Sequence, residues 1–306
     1  MKRAIRIGTR GSRLALAQSR WVQSRIQRRL PEFSVELVTI TTSGDRFVEQ
    51  PLGLIGGKGL FVKEIEEAMQ SGVIDCAVHS MKDVPGELAV GLVLAAIPPR
   101  EDVRDLLITR DGQRLDQLPA GGRVGTSSLR RMALVRAARP DLDVRNLRGN
   151  VDTRLGRLDR GDFDAVILAA AGINRLGIKR AGVAYCDPAD FIPAVGQGAL
   201  AIESRADETA ALLAPLDDAV TRSAVTAERA FLTRAGGSCR TPLAAHATVA
   251  ERQLVLRGLI ASPDGRQVVR GERRGAVVDG AALGAELAED LLDKGGAEIL
   301  RALLAG

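Results

Sequence analysis

Aromatic side chains are scarce in this chain of 306 residues, which has one Trp, one Tyr and six Phe. Proteins that bind single-stranded nucleic acid stack bases on aromatic rings, so a nucleic-acid binder is not expected. Cys76, Cys186 and Cys239 are odd in number, widely spaced and without a C-x-x-C motif, which argues against a disulfide framework. With only two histidines, a metal site is not expected either. The sequence therefore predicts a protein of the reducing cytoplasm.

Long hydrophobic runs are missing as well. No stretch of about 18 apolar residues occurs, so a transmembrane helix is not expected. Arg6 and Arg10 interrupt the first apolar segment, which argues against a signal peptide and against export. Hydrophobic residues at 45% and charged residues at 26% are typical of a globular protein, and the length predicts two or three domains.

Positive charge is concentrated in one part of the sequence. The net charge is +5, and 37 of the 43 cationic residues are Arg. Between Arg123 and Arg157, nine arginines oppose three aspartates, which gives that segment a net charge of +6. Guanidinium groups bind carboxylates and phosphates in a bidentate manner, so the segment indicates an acidic small ligand. A solvated, Arg-rich surface is the alternative.

Short apolar strands alternate with amphipathic segments along the first two thirds of the chain. Strands are predicted at 4–9, 34–41, 92–97, 105–109 and 165–169, and this alternation is typical of βαβ units with mainly parallel sheets. Pro98-Pro99-Arg100 and Pro193–Gly198 predict the boundaries of two α/β lobes. A glycine-rich loop is predicted at 43–59, and a smaller α+β region follows the second lobe.

The segment from Val78 to Pro85 places several polar groups directly after a buried-looking strand. Its Lys82 and Asp83 suit acid–base chemistry or the stabilisation of a developing cation, since they set an ammonium beside a carboxylate. Pro85 restricts Val84 to an extended conformation. A solvated turn with a local ion pair fits the same residues. His79 suits either an acid–base or a structural role.

Three further loops combine Arg with hydroxyl groups or Gly where a strand is predicted to end. They are Arg10-Gly-Ser12, Thr126-Ser-Ser-Leu-Arg-Arg131 and Arg148-Gly-Asn-Val-Asp-Thr-Arg154. Backbone N–H groups at a helix N-terminus, together with adjacent guanidinium groups, form an anion site. Each loop alone also fits a helix cap followed by surface arginines. Together they predict several carboxylates or phosphates bound in one cleft.

Cys239 lies in the loop Gly236–Pro242, next to Arg240, which would favour its thiolate form. An inert, buried cysteine is the alternative. Cys76 is predicted to belong to the core, while Cys186 is unassigned.

These motifs in this order resemble the porphobilinogen deaminase (hydroxymethylbilane synthase) family. The resemblance runs from Ile5 to His246 and rests on IGTRGSRLALAQ, FVKEIEEA, AVHSMKDVP, VGTSSLRR, LRGNVDTRL, PAVGQGALAIE and GGSCRTPLAAHA. It implies an α/β fold of two periplasmic-binding-protein-like (type II) lobes with mixed, mainly parallel sheets, plus a small α+β third domain. The implied domains are 1–99 with 196–215, then 100–195, then 216–306.

The resemblance implies a transferase of haem and tetrapyrrole biosynthesis. Such an enzyme joins four porphobilinogen molecules head to tail, releases ammonia each time and gives hydroxymethylbilane. Its cofactor is a dipyrromethane attached by a thioether to a cysteine that matches Cys239, and it uses no metal. A two-lobed binding protein for an acidic small molecule is the alternative, and a nucleic-acid binder is a weaker one.

The resemblance also assigns residues. Asp83 matches the catalytic carboxylate. The implied cofactor contacts are Lys82, Ser80, Thr126, Ser128, Arg130, Arg131 and Arg154, and the implied substrate contacts are Arg10, Ser12, Gln18, Arg148, Arg175, Lys58 and Phe61. Arg13 stands where relatives often differ. A cytoplasmic monomer is implied, without nucleic-acid or membrane partners, and its product would pass to uroporphyrinogen-III synthase.

Overall fold

The computed structural model describes residues 3–46, 62–237 and 241–305. The chain divides into two compact units. The first is formed by Met1–Glu101 with Gly198–Arg222, and the second by Asp102–Gln197 with Ser223–Gly306. The predicted glycine-rich loop 43–59 begins with a short helix, and its residues from 47 onward lie outside the described residues.

Strands and helices alternate as the sequence predicts. The strands are β1 (Arg3–Thr9), β2 (Phe33–Thr39), β3 (Cys76–Ser80), β4 (Leu92–Ala96), β5 (Asp105–Thr109), β6 (Arg123–Gly125), β7 (Asp143–Arg145), β8 (Ala165–Ala169), β9 (Val183–Tyr185), β10 (Leu200–Arg205), β11 (Leu243–Ala250), β12 (Gln253–Ala261) and β13 (Val268–Ala276). The helices are α1 (Arg13–Arg29), α2 (Ser43–Arg46), α3 (Lys63–Gln70), α4 (Leu129–Ala138), α5 (Val151–Asp159), α6 (Ala170–Arg175), α7 (Glu208–Leu213), α8 (Ala219–Arg234), α9 (Gly280–Leu291) and α10 (Ala297–Ala305).

The first unit is built on a mixed sheet with the strand order β2-β1-β3-β10-β4. β1 runs parallel to β2 and β3, whereas β10 runs antiparallel to both of its neighbours. Ile7 of β1 is fully buried in the same hydrophobic cluster as Val22 and Ile26, which lie one turn apart on α1. The apolar stripe of α1 thus fixes this helix against the sheet, with its N-terminus beside the end of β1.

The second unit repeats this design. Its five-stranded sheet has the order β7-β6-β8-β5-β9, with β6 parallel to β7 and β8 and with β5 antiparallel to its neighbours. Four of the five strands in each sheet therefore point in one direction. The predicted fold class, two α/β lobes with mixed, mainly parallel sheets, is confirmed.

A smaller antiparallel sheet, β11-β12-β13, completes the second unit. Leu287 and Leu291 of α9 pack on one of its faces, in a cluster with Leu256. Leu259 and Ala261 of β12 belong instead to the core of the five-stranded sheet. This shared core explains why 223–306 groups with 102–197, and the division into three domains stays a prediction.

Among the described residues, every helix is too short or too polar to cross a membrane.

Candidate active site

A small cavity of about 80 Å³ lies in the first unit, beside the carboxyl ends of β1 and β3. Five residues predicted for the site line it, namely Arg10, Ser12, Gln18, Ser80 and Asp83. β1 and β3 are neighbouring parallel strands, so the loops that follow them meet at one edge of the sheet. The topology therefore brings two distant sequence motifs into one cavity.

Helix α1 is joined to the end of β3 by a hydrogen bond within this cavity. Gln18, which is 4% exposed, donates from Nε2 to Oγ of Ser80 over 2.9 Å. Ser12 is the N-cap of α1, because its side chain accepts a hydrogen bond from Ala15 N over 3.3 Å. These contacts hold the hydroxyl and amide groups of the cavity on rigid elements.

Asp83 ends a single 3-10 turn, Met81–Asp83, and its side chain is exposed while Met81 is buried. Val84 follows with φ −78° and ψ 127°, the extended conformation predicted from Pro85. Val84 N donates to Met81 O over 3.1 Å, which closes the turn. The buried Met81 and the extended Val84 thus present the Asp83 carboxylate to the cavity.

Glu203, which the sequence did not reveal as a site residue, lies behind the cavity wall. His79 lines the cavity, and its Nε2 lies 3.0 Å from Oε2 of Glu203 on β10. Glu203 is fully buried in β10, directly after the apolar run Leu200–Ile202. A carboxylate that directly follows an apolar run within a strand is itself a signal, since a buried carboxylate requires a partner.

In the second unit, α4 and α5 begin after the adjacent parallel strands β6 and β7. Ser128 caps α4 by accepting from Arg131 N over 3.4 Å, and the buried Thr126 accepts from Ser128 N over 3.2 Å. Arg154 of α5 donates from Nε to Gly149 O over 2.8 Å. Asn150 caps α5 by accepting from Thr153 N over 2.9 Å. Two capped helix N-termini thus follow adjacent strands, an arrangement that suits anions.

Arg130 and Arg131 are interior residues, only 3% and 5% exposed. Arg130 Nη2 lies 2.7 Å from Oδ2 of Asp105, while Arg131 donates to Oδ1 from Nε over 3.0 Å and from Nη2 over 2.6 Å. Each arginine also donates to a backbone carbonyl, of Ile192 and Ile167 respectively. The role of both arginines as cofactor contacts stays a prediction. The structure adds a second role, since both pair with the buried Asp105 in the core of the second unit.

Asp105 is the second functional candidate that the sequence did not reveal. Burial by itself would raise the pKa of Asp105, but the charges of Arg130 and Arg131 lower it to about 2. Gln197 adds a hydrogen bond from Nε2 to Oδ1 over 3.0 Å. An acidic residue at the start of the apolar strand DLLIT is the sequence signal that could have revealed it.

Six predicted site residues remain, and three of them lie among the residues that the structure describes. Lys82 lies in the turn before Asp83, Arg148 is half-buried after β7, and Arg175 lies in the last turn of α6. Lys58, Phe61 and Cys239 lie outside the described residues. Within 3–46, 62–237 and 241–305, no group of three His, Cys, Asp or Glu side chains is arranged to hold a metal ion.

Two family models match the chain. "Porphobilinogen deaminase, dipyromethane cofactor binding domain" matches residues 5–212, and "Porphobilinogen deaminase, C-terminal domain" matches residues 223–293. The chain belongs to the porphobilinogen deaminase family. The first match spans all the predicted site residues except Cys239, which lies within the second.

Relatives cover the chain almost completely. The porphobilinogen deaminase of Syntrophotalea carbinolica is 53% identical over 302 residues, 98% of this chain and 96% of that protein. The porphobilinogen deaminase of a Roseiflexus species is 53% identical over 308 residues, with complete coverage of both. Among solved structures, the aliphatic sulphonate binding protein SsuA of Escherichia coli matches with a TM-score of 0.42 and 18% identity, covering 77% of this chain and 75% of that one.

Membership of the porphobilinogen deaminase family confirms the predicted activity. The chain is a transferase of tetrapyrrole biosynthesis that joins porphobilinogen units with release of ammonia and elongates a dipyrromethane primer. About 50% identity to porphobilinogen deaminases over the whole chain favours this activity over the alternative, a binding protein that catalyses no reaction.

Proposed function

We propose that the cavity of the first unit is where porphobilinogen reacts and that Asp83 is its catalytic carboxylate. The observation that supports this most directly is the convergence of Arg10, Ser12, Gln18, Ser80 and Asp83 on one cavity. This convergence occurs within residues 5–212, which match the cofactor-binding domain of the family.

Asp83 supplies the charge that the reaction requires. Loss of ammonia from the aminomethyl group of porphobilinogen leaves positive charge on the substrate pyrrole, and a fixed carboxylate stabilises that charge. The same carboxylate can hold a proton near the departing amine. The closed turn at Met81 and the extended Val84 keep Asp83 in place, so little reorganisation accompanies each addition.

Arg10 and the neighbouring polar groups orient the substrate. Porphobilinogen carries an acetate and a propionate, which are ligands for a guanidinium group and for hydroxyl donors. Arg10 follows β1, and the hydroxyls of Ser12 and Ser80 lie on the wall of the same cavity. We assign substrate binding to these three side chains and to Gln18, which holds Ser80.

The dipyrromethane also carries acetate and propionate groups, and the residues of the second unit fit such an anion. Two buried guanidinium groups share one carboxylate there, and the buried Nε of Arg130 has no hydrogen-bond partner among the described residues. Burial lowers the pKa of Arg130 despite Asp105, so a further anion would stabilise its charge. When bound, the dipyrromethane supplies the pyrrole to which the first substrate is joined. We assign its carboxylates to Arg131, Arg154, Thr126 and Ser128 together with Arg130.

Attachment of the dipyrromethane is assigned to Cys239. Burial raises the pKa of Cys76 to about 12 and that of Cys186 to about 11, so both are poor thiolates at neutral pH. Cys76 lies fully buried in β3, as predicted for a core residue. Neither of these two thiols is suited to forming a thioether, which leaves Cys239.

The intact mass of the purified holoprotein tests this assignment. The expected mass exceeds that of the chain by two porphobilinogen units less two ammonia molecules, and Cys239→Ala removes the increment. Cys186→Ala is the matched control and keeps it. A fully active protein without the increment, or an increment that survives in Cys239→Ala, would contradict the proposal.

We also propose that the enzyme is a cytoplasmic monomer and that uroporphyrinogen-III synthase consumes its product. Sedimentation equilibrium is expected to give the mass of one chain, and a dimer mass would contradict the first part. In a coupled assay, addition of the synthase is expected to convert the linear product into the cyclic isomer III. Failure of that conversion would contradict the second part.

A further inference from the structure

His79 and Glu203 form a buried hydrogen-bonded pair directly against the cavity of Asp83. His79 pairs with Ala201 across β3 and β10, and Glu203 lies two residues further along β10. Side chains two residues apart on a strand share one face of the sheet, which brings the two groups together. Nε2 and Oε2 are 3.0 Å apart, and the side chains are 6% and 0% exposed.

A second carboxyl group faces this pair from the helix that packs on the sheet. Burial and the nearby Glu203 carboxylate raise the pKa of Glu66 on α3. A side-chain hydrogen bond between Glu66 and Glu203 contributes to this rise. Buried carboxylates are costly unless they are paired or hydrogen-bonded. The cluster therefore places two carboxyl groups and one imidazole in contact beside the cavity.

Each addition moves one proton within the active site. The C–N bond of the protonated aminomethyl group breaks, and its nitrogen leaves as ammonia with the electron pair. A C–C bond forms to the receiving pyrrole, whose ring carbon gives up a proton, and this proton converts ammonia into ammonium. No oxidant or reductant is needed. Asp83 can hold a proton near the departing amine, and a second side chain on the wall of the same cavity can carry the proton between the ring carbon and that site.

We propose that His79 carries this proton and that Glu203 is a positioning residue that orients its ring; the assignment rests on the proposed role of the cavity. Nε2 is bonded to Glu203, so His79 exchanges the proton through Nδ1. Among the described residues, the charged groups that contact this pair or line the same cavity are Glu203 of β10, Glu66 of α3, Asp83 after β3 and Arg10 after β1.

Steady-state kinetics of the holoprotein as a function of pH tests the proposal. We expect His79→Gln to lower kcat about 100-fold and to abolish the acidic limb of its pH profile, while KM stays within about twofold. Glu203→Gln is expected to lower kcat about tenfold. It should also change the acidic limb of the pH profile, because the ring loses the carboxylate that orients it. His246→Gln, on β11 of the other unit, is the control and keeps the wild-type profile.

Nitrogen NMR gives a readout that is independent of turnover. The chain has only two histidines, so His246→Gln assigns the ring signals of His79. The expected signals are those of a ring protonated at Nε2, and they change in Glu203→Gln. Unchanged ring signals, or a wild-type pH profile combined with reduced stability in Glu203→Gln, would show a purely structural pair and overturn the proposal.

The proposed role of the cavity can fail separately from this one. Full activity of Asp83→Asn would contradict that role whatever the His79 variants do. The intact mass of each variant shows whether the dipyrromethane is present, so a kinetic defect is assigned to His79 only in loaded protein. Should His79→Gln fold poorly, the pH profiles of Glu66→Gln and Glu203→Gln, together with the ring signals of His79 in the wild type, still test whether His79 carries the proton.

Discussion

Arg131 donates two hydrogen bonds to one oxygen of Asp105, Oδ1, from Nε over 3.0 Å and from Nη2 over 2.6 Å. The other oxygen of Asp105 accepts from Arg130, so a single carboxylate faces two guanidinium groups inside the second unit. Asp105 is 0% exposed. This carboxylate therefore organises the start of α4, where both arginines lie, and its removal leaves two buried cations without their anion.

The first prediction concerns the stability of the second unit. Asp105→Asn is expected to lower the free energy of unfolding by about 3–5 kcal/mol, because it leaves buried charge uncompensated. Asp143→Asn is the control, since Asp143 and its partner Arg145 have side chains 41% and 56% exposed. That variant should lose less than about 1 kcal/mol. Urea unfolding of both variants measures the difference, and equal losses would contradict the prediction.

The second prediction is a dependence of stability on pH. The pKa of Asp105 is about 2 in the folded chain against an ordinary value of 3.8. A lowered pKa stabilises the folded state above the ordinary value, and this contribution disappears as the pH falls through the folded value. We expect the wild type to lose about 2 kcal/mol from this group between about pH 4 and pH 2. Asp105→Asn should lack this loss, and parallel curves for the two proteins would rule it out.

Features that depend on neighbouring residues were predictable from the sequence. Ser12 caps α1 and Pro85 keeps Val84 extended because each effect acts over a few residues. Most strands of the two lobes were predicted, although β9 was not, and the strand-end motifs lead to Arg10 and Asp83 in one cavity.

Partners that are distant in the sequence were not predictable. Arg130 and Arg131 have the pattern of an anion-binding loop, and nothing in that loop indicates that Asp105, on another strand, already binds them. Glu203 is separated from His79 by 124 residues, and only the pairing of β3 with β10 brings them together. Strand order decides such contacts, and a local pattern does not contain it.

The third prediction concerns the contact between Gln18 and Ser80. Gln18→Leu removes the donor to Ser80 and is expected to raise KM several-fold, since the Ser80 hydroxyl loses its fixed orientation. The free energy of unfolding should fall by about 1 kcal/mol. Gln23→Leu is the control, because it removes a hydrogen bond of the same helix, to Val35 O over 2.7 Å, away from the cavity. Steady-state kinetics should show a raised KM in the first variant alone, and equal KM values would contradict the assignment.

The fourth prediction concerns Asp83 itself. Asp83→Asn keeps the size of the side chain and removes the charge that stabilises the cationic pyrrole, so kcat is expected to fall about 100-fold or more. Asp83 is exposed, and the free energy of unfolding should change by no more than about 0.5 kcal/mol. Glu87→Gln, an exposed carboxylate just beyond the same turn, is the matched control and should keep full activity. Ammonia release and unfolding are measured on loaded protein of equal cofactor content. If Asp83→Asn retains more than about half of the wild-type kcat, the carboxylate is not the catalytic group. If Glu87→Gln loses as much activity as Asp83→Asn, the effect comes from the overall charge of the loop rather than from Asp83.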